Sequence, residues 1–139
     1  MKVDITRTNE NVLFKIENPT GETAFIDGSE EFGGVQGGLR PMEMLLGALA
    51  TCSAFEVVRI LKKQKQNIED FKIEVNGIRT PKGTSSPYSS IDILFKIKGD
   101  VALNKAERAV TISTEKYCSV RSSLDPEIKV THRVQINDL

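Results

Sequence analysis

Gly33-Gly34-Val35-Gln36-Gly37-Gly38-Leu39-Arg40-Pro41-Met42-Glu43-Met44-Leu45-Leu46-Gly47-Ala48-Leu49-Ala50-Thr51-Cys52 is the stretch from which the fold can be read. Its glycines make a loop of low side-chain content. Pro41 then stands where a helix would take its first residue, a position at which the missing N–H is not needed and the ring's φ is already helical. From residue 41 to about residue 66 the pattern is that of one long helix, with Leu45, Ala48, Leu49, Cys52 and residues 55–58 on a broad apolar face. At 1.5 Å per residue it would span roughly 35 to 40 Å, more than the core of one small domain demands, so a partner surface is implied. Lys62-Lys63-Gln64-Lys65-Gln66 suits the solvated end of that helix, where cations oppose its dipole. The glycine run has no Lys-Ser/Thr after it and no G-x-G-x-x-G, so it reads as a loop allowing close backbone approach near the helix start, not a phosphate cradle.

Outward from this stretch the pattern changes to a period of two. Residues 3–8 and 11–17 alternate apolar with polar around a turn at Asn9-Glu10, and Thr23–Ile26 follows the turn Asn18-Pro19-Thr20-Gly21. On the C-terminal side, residues 71–78 and 91–97 alternate strictly, predicting a second hairpin whose tip is rich in Gly, Ser and Pro. A second helix is expected over residues 104–117, with Asn104 and Glu107 placed like a capping box, and a last strand over residues 128–136. The whole, residues 1–139, reads as a single α+β domain.

Charge narrows the function. Nineteen basic and nineteen acidic residues cancel, so no global field draws the chain to nucleic acid or to an anionic membrane. No uninterrupted apolar run approaches the roughly 20 residues that cross a bilayer. Met1-Lys2-Val3-Asp4 is followed by no apolar leader segment, which gives a cytoplasmic expectation. Two cysteines in an ordinary composition do not make a disulfide scaffold.

Cys52 and Cys118 are the residues with chemistry to offer. A thiol must be a thiolate to attack an electrophile, and a free cysteine with a pKa near 8.5 is only a few per cent ionised at neutral pH. Cys52 would lie about three turns into its helix, beyond the reach of that helix's own dipole. A cation is therefore expected nearby, with Arg7, Arg40, Arg59 and Arg121 as candidates that spacing alone does not separate. Two inert core thiols are the competing reading. With one histidine, His132, in an alternating strand, neither a zinc site nor Cys-His acyl transfer finds its ligands or base.

The glycine loop, the Pro41-Met42-Glu43-Met44-Leu45-Leu46 helix start, Cys52 deep in that helix and Lys116-Tyr117-Cys118-Ser119-Val120 late in the chain together resemble the OsmC/Ohr family of peroxide-reducing proteins. The order of elements resembles it over nearly the whole chain. What the resemblance implies is an antioxidant, stress-response oxidoreductase with an OsmC-like fold. Antiparallel sheets would pack around two long central helices in an intertwined homodimer, with redox-active thiols near the subunit interface. Cys52 would attack the O–O bond of a hydroperoxide and Cys118 would condense with the resulting sulfenic acid. An external dithiol would reset the pair, with no metal, flavin or haem cofactor. The family's arginine that pairs with the thiolate corresponds best to Arg7 and next to Arg40.

One departure concerns the acid at the helix start. Peroxide-reducing members carry glutamate directly after the proline, whereas here Met42 holds that place and Glu43 follows, an order like that of a YhfA-like branch. Nine residues separate Glu43 from Cys52, about half a revolution around the helix and roughly 13 Å along it, so Glu43 could act on Cys52 only from a partner chain. Glu43 could equally serve as a first-turn acid that favours the dipole. Leu45, Leu49 and Phe55 would favour an organic peroxide by excluding water, or form the dimer core. Two rival functions stay open: a dimer that binds an apolar ligand between its helices, and a redox sensor with poor turnover.

Overall fold

Strands and helices follow the expected order in a computed structural model that describes residues 1–139. They are β1 Asp4–Arg7, β2 Phe14–Glu17, β3 Thr23–Ile26, a 3-10 turn at Glu30–Phe32, α1 Pro41–Lys63, β4 Asn67–Arg79 and β5 Tyr88–Asp100, followed by α2 Leu103–Ile112, a π-helical turn at Ser113–Tyr117, α3 Ser119–Ser123 and β6 Lys129–Ile136. The chain divides into two units, Met1–Leu45 and Leu46–Leu139, with the division falling inside α1.

In the first unit β1, β2 and β3 form an antiparallel sheet in that order, with Ile16 opposite both Ile5 and Ala24. The strands are shorter than the alternation suggests because side chains pull the intervening residues into turns. Asn9 Oδ1 accepts from the N–H groups of Asn11 and Leu13, and Asn18 Oδ1 from those of Thr20 and Glu22. The glycine loop then wraps a buried carboxylate. Asp27, 2% exposed, accepts from the N–H groups of Gly28 at 2.8 Å, Val35 at 2.9 Å and Gly37 at 3.0 Å. Backbone approach does call for glycine here: a Cβ on Gly34 would stand 2.0 Å from the Gly28 carbonyl oxygen. The loop ends by joining β3, where Leu39 N–H donates to the Phe25 carbonyl and Asp27 N–H to the Leu39 carbonyl.

The second unit contains most of the core. β5 is the central strand of the order β4-β5-β6, so its alternating Ile91, Ile93, Phe95 and Ile97 are buried, whereas β4 at the edge keeps Ile68, Phe71, Ile73 and Val75 half-exposed and Ile78 exposed. Phe71 meets Phe95 edge-to-face with ring centroids 6.2 Å apart. Leu49, Val57 and Leu61 of α1 and Ala106, Ala109 and Val110 of α2 complete this core. Burying one such large side chain is worth about 1.5 to 3 kcal/mol.

The sheet is mixed. β4 and β5 are antiparallel as expected, but β6 lies parallel to β5, and α2 supplies the crossover that a parallel pair requires. The expected capping box at the start of α2 does not form. Ala102 occupies the cap position without a side-chain bond, and Asn104 Oδ1 instead accepts from the adjacent Lys105 N–H. Nor is the second helix continuous to Tyr117, because it widens into the π turn after Ile112.

α1, 23 residues long, has an 18-residue window of mean hydropathy 1.7, so by length and composition alone it could cross a membrane. An uninterrupted-run criterion misses this, since it counts interruptions and not the average. A third of that window is buried within the protein.

Asp27 generates a test of the first unit. The N–H groups of Gly37 and Val35, with Gly28, hold its carboxyl below the ordinary value against the opposing effect of burial. A depressed folded pKa contributes stability that is present above the unfolded pKa and lost as pH falls through the folded one. Asp27→Asn is expected to lower Tm at neutral pH and to shrink the loss of Tm on acidification through about pH 4 and below. Thermal melts across that range check both changes.

Candidate functional site

Leu49 and Ser53 lie one turn apart on α1, with Cys52 between them on the adjoining position. Leu49 and Ser53 are fully buried and Cys52 is half-buried. On the other side, the π turn brings the chain to Cys118, where the backbone becomes extended at φ −77° and ψ 101° and a five-residue helix, α3, begins. Cys118 is thus the N-cap of α3.

A helix start leaves N–H groups without intrahelical acceptors. In α3 the two sulfurs lie against them. Arg121 N–H donates to Cys118 Sγ at 3.4 Å, while the N–H groups of Val120 and Ser119 lie near enough to the Cys52 sulfur to favour its charged form. Cys118 Sγ in turn donates to the Leu49 carbonyl at 3.7 Å, and the two cysteines are close enough for each to shift the other's pKa. Both cysteines are free thiols.

This arrangement separates two chemically identical groups. Burial works against ionisation of Cys52, but the Val120 N–H, the Cys118 thiol and the Ser119 N–H outweigh it and bring its pKa below the ordinary value. Burial pushes Cys118 up, Ser53 and the Arg121 N–H pull the other way, and the neighbouring Cys52 pushes it up again. Cys52 is thereby the more acidic of the two thiols. No group of three or more His, Cys, Asp or Glu side chains lies close enough to hold a metal ion.

Within this unit the groups that lower the Cys52 pKa are backbone N–H groups of another helix and the Cys118 thiol, and the two candidate arginines of the unit are engaged elsewhere. Arg59 is committed to Glu56, with Nε donating to Oε2 at 2.7 Å. The Arg121 guanidinium donates to the carbonyl oxygens of Asp125 and Ile128. The remaining site candidates belong to the first unit. Arg7 is exposed in β1 opposite Phe14, and Arg40 precedes α1. Glu43 Oε2 accepts the Arg40 N–H at 2.9 Å, half of a capping box that fixes the helix start. Leu49 is core, whereas Phe55 is 76% exposed. His132 is half-buried on β6, with Nε2 3.6 Å from Glu115.

Sequence reasoning missed Ser53, Ser119, Val120 and the backbone of Arg121. Three of these act through N–H groups, which every residue except proline possesses, so no residue type signals them. Ser53 carries only the weak signal of a polar residue on an apolar helix face.

Residues 33–133 match the family described as OsmC-like protein. Protein YhfA of Escherichia coli (strain K12) is 31% identical over 128 residues, which are 91% of this chain and 92% of that protein. A hypothetical protein from Aquifex aeolicus VF5 is similar in structure, with a TM-score of 0.79 and 32% identity over 99% of this chain and 97% of that one. An organic hydroperoxide resistance protein OsmC from Legionella pneumophila shares the fold with a TM-score of 0.70 and 16% identity, over 97% of each chain.

The unequal sulfurs predict unequal labelling. Iodoacetamide is expected to modify Cys52 before Cys118, with a rate midpoint below the ordinary thiol value of about 8.5. Peptide mapping of the alkylated protein against pH checks this, and preferential modification of Cys118 would reverse the assignment.

Proposed function

The chain belongs to the OsmC-like protein family, and from that premise we propose that it is a thiol-dependent peroxidase that reduces organic hydroperoxides through Cys52 and Cys118. The observation that carries this reading is the proximity of the two sulfurs, the half-buried Cys52 made more acidic and the buried Cys118 less so. The hydroperoxide resistance for which the Legionella protein is named supports the substrate class.

The Cys52 thiolate attacks the distal oxygen of the hydroperoxide. An S–O bond forms, the O–O bond breaks, and the alkoxide takes a proton and leaves as alcohol. Cys118 then displaces the hydroxyl of the Cys52 sulfenic acid, forming the disulfide and releasing water. An external dithiol reduces the disulfide and restores both thiols. The amides of Ser119 and Val120 stabilise the charge of the resting nucleophile throughout. A guanidinium from Arg7, or after it Arg40, would add to them at the thiolate, and Glu43 would approach across the dimer. The protein would work in the cytoplasm, with a second copy, a small peroxide and a dithiol as its partners and neither nucleic acid nor membrane among them.

Addition of one equivalent of cumene hydroperoxide is expected to remove both free thiols from the wild type. Cys118→Ser should stop at a sulfenic acid that dimedone traps, and Cys52→Ser should consume no peroxide. An unchanged thiol titre in the wild type rejects the mechanism.

The proposed homodimer has a separate test. Phe55 at 76% exposure, Ile78 at 64% and Tyr117 at 50% are apolar surfaces that the single chain leaves in water. Light scattering is expected to give twice the chain mass of 15.4 kDa. Phe55→Asp should shift that mass towards the monomer, and a monomeric wild type would refute the assembly.

A further inference from the structure

Beyond the two sulfurs, the site contains a buried hydroxyl that the peroxidase steps above do not use. Ser53, fully buried on α1, donates its Oγ–H to the Leu49 carbonyl at 3.3 Å, the same oxygen that accepts the Cys118 thiol at 3.7 Å. In an α-helix that carbonyl also accepts the N–H four residues on, which is Ser53's own. A carbonyl oxygen has two lone pairs, so two side-chain donors compete for what the helix ladder leaves, and both bonds are long. Bonded to one oxygen, the hydroxyl and the thiol are neighbours, and Ser53 favours the charged form of the Cys118 sulfur.

Resting on the peroxidase reading, we propose that Ser53 is a positioning residue for disulfide formation, its hydroxyl turning from the Leu49 carbonyl onto the Cys118 sulfur as that thiol gives up its proton. The exchange balances. While Cys118 is a thiol, S–H and O–H share Leu49 O. In the second step the Cys118 sulfur forms the S–S bond, the Cys52 S–O bond breaks, and the Cys118 proton leaves with the displaced hydroxyl as water. The sulfur needs a donor at the moment its own proton departs, and Leu49 O is then free of the S–H. A rotating hydroxyl supplies that donor without movement of the backbone. It is also suited to a dry pocket, where an uncompensated sulfur anion is costly.

Few other ionisable groups bear on Cys118. Cys52 faces it from α1. Arg121, on the segment that carries it, offers its backbone N–H while its guanidinium is turned to Asp125 and Ile128, and Tyr117 on the preceding turn is half exposed. Ser53 is the neutral donor among them.

Two measurements test the proposal. In a Cys52→Ala background, the pH dependence of alkylation of the one remaining thiol reports Cys118 alone, and Ser53→Ala is expected to move its ionisation up by about one pH unit, the size of one hydrogen bond to a charged group. Ser53→Thr, which keeps the hydroxyl, should restore the original titration. Identical titrations of the serine and alanine forms overturn the proposal whatever the protein does with peroxide. With both cysteines intact, a single turnover with cumene hydroperoxide should show Ser53→Ala slowing disulfide formation about tenfold at neutral pH, more than it slows sulfenic acid formation. That deficit should close at alkaline pH, where Cys118 ionises unaided. A deficit that stays constant with pH would mean lost packing only, and would also overturn it. Absence of sulfenic acid in the wild type sinks the peroxidase reading by itself, and the titration then decides the role of Ser53.

Discussion

The unsatisfied N–H groups at the start of α3 are the constraint around which the site is built. A helix of five residues has almost no ladder of its own, so most of its donors must look outward for acceptors. Two sulfurs lie against them: the Arg121 N–H donates to Cys118, and those of Ser119 and Val120 favour the charged form of Cys52. Because an amide dipole favours an anion over a neutral thiol, the geometry that satisfies the backbone also biases which sulfur carries charge. Structural necessity and chemical differentiation are the same set of bonds.

The approach of Cys118 to α1 depends on what precedes it. α2 does not run on as a regular helix; the π turn at Ser113–Tyr117 widens it, and the extended backbone at Cys118 then redirects the chain. Inserting one residue into a helical turn rotates everything after it, which is why such turns recur where a side chain must be re-aimed. Downstream, the Arg121 guanidinium ties Asp125 and Ile128 to α3, so the loop into β6 is anchored to the segment that carries the sulfur. β6 in turn lies parallel to the central strand β5. The site is thereby fastened to the core of its unit by covalent continuity on one side and by the Leu49 carbonyl on the other.

Local patterns made much of the architecture legible. Pro41 announced α1, the alternation of Ile91, Ile93, Phe95 and Ile97 announced a strand with one buried face, and the glycines at 33, 34, 37 and 38 announced close backbone passage. Each is a short-range signal with a direct steric or hydrophobic cause. Where the reading strayed, a non-local or backbone cause was responsible. The parallel entry of β6 depends on a crossover and not on its own alternation. The missing cap at Asn104 reflects a helix that starts one residue earlier, at Leu103. The amides beside Cys52 were not foreseen, and amides have no letter in a sequence.

By itself the sequence singled out two thiols as the candidates for chemistry, because one histidine and no close ligand spacing left little for a metal site or a Cys-His pair. It also determined that one thiol would ride deep in a long apolar helix. Only the tertiary structure decided that the second sulfur caps a short helix against the first, and that the two differ in acidity. The physical reason is that acidity depends on the donors, burial and charge within a few ångströms of the atom, and here those are contributed by residues distant in the chain.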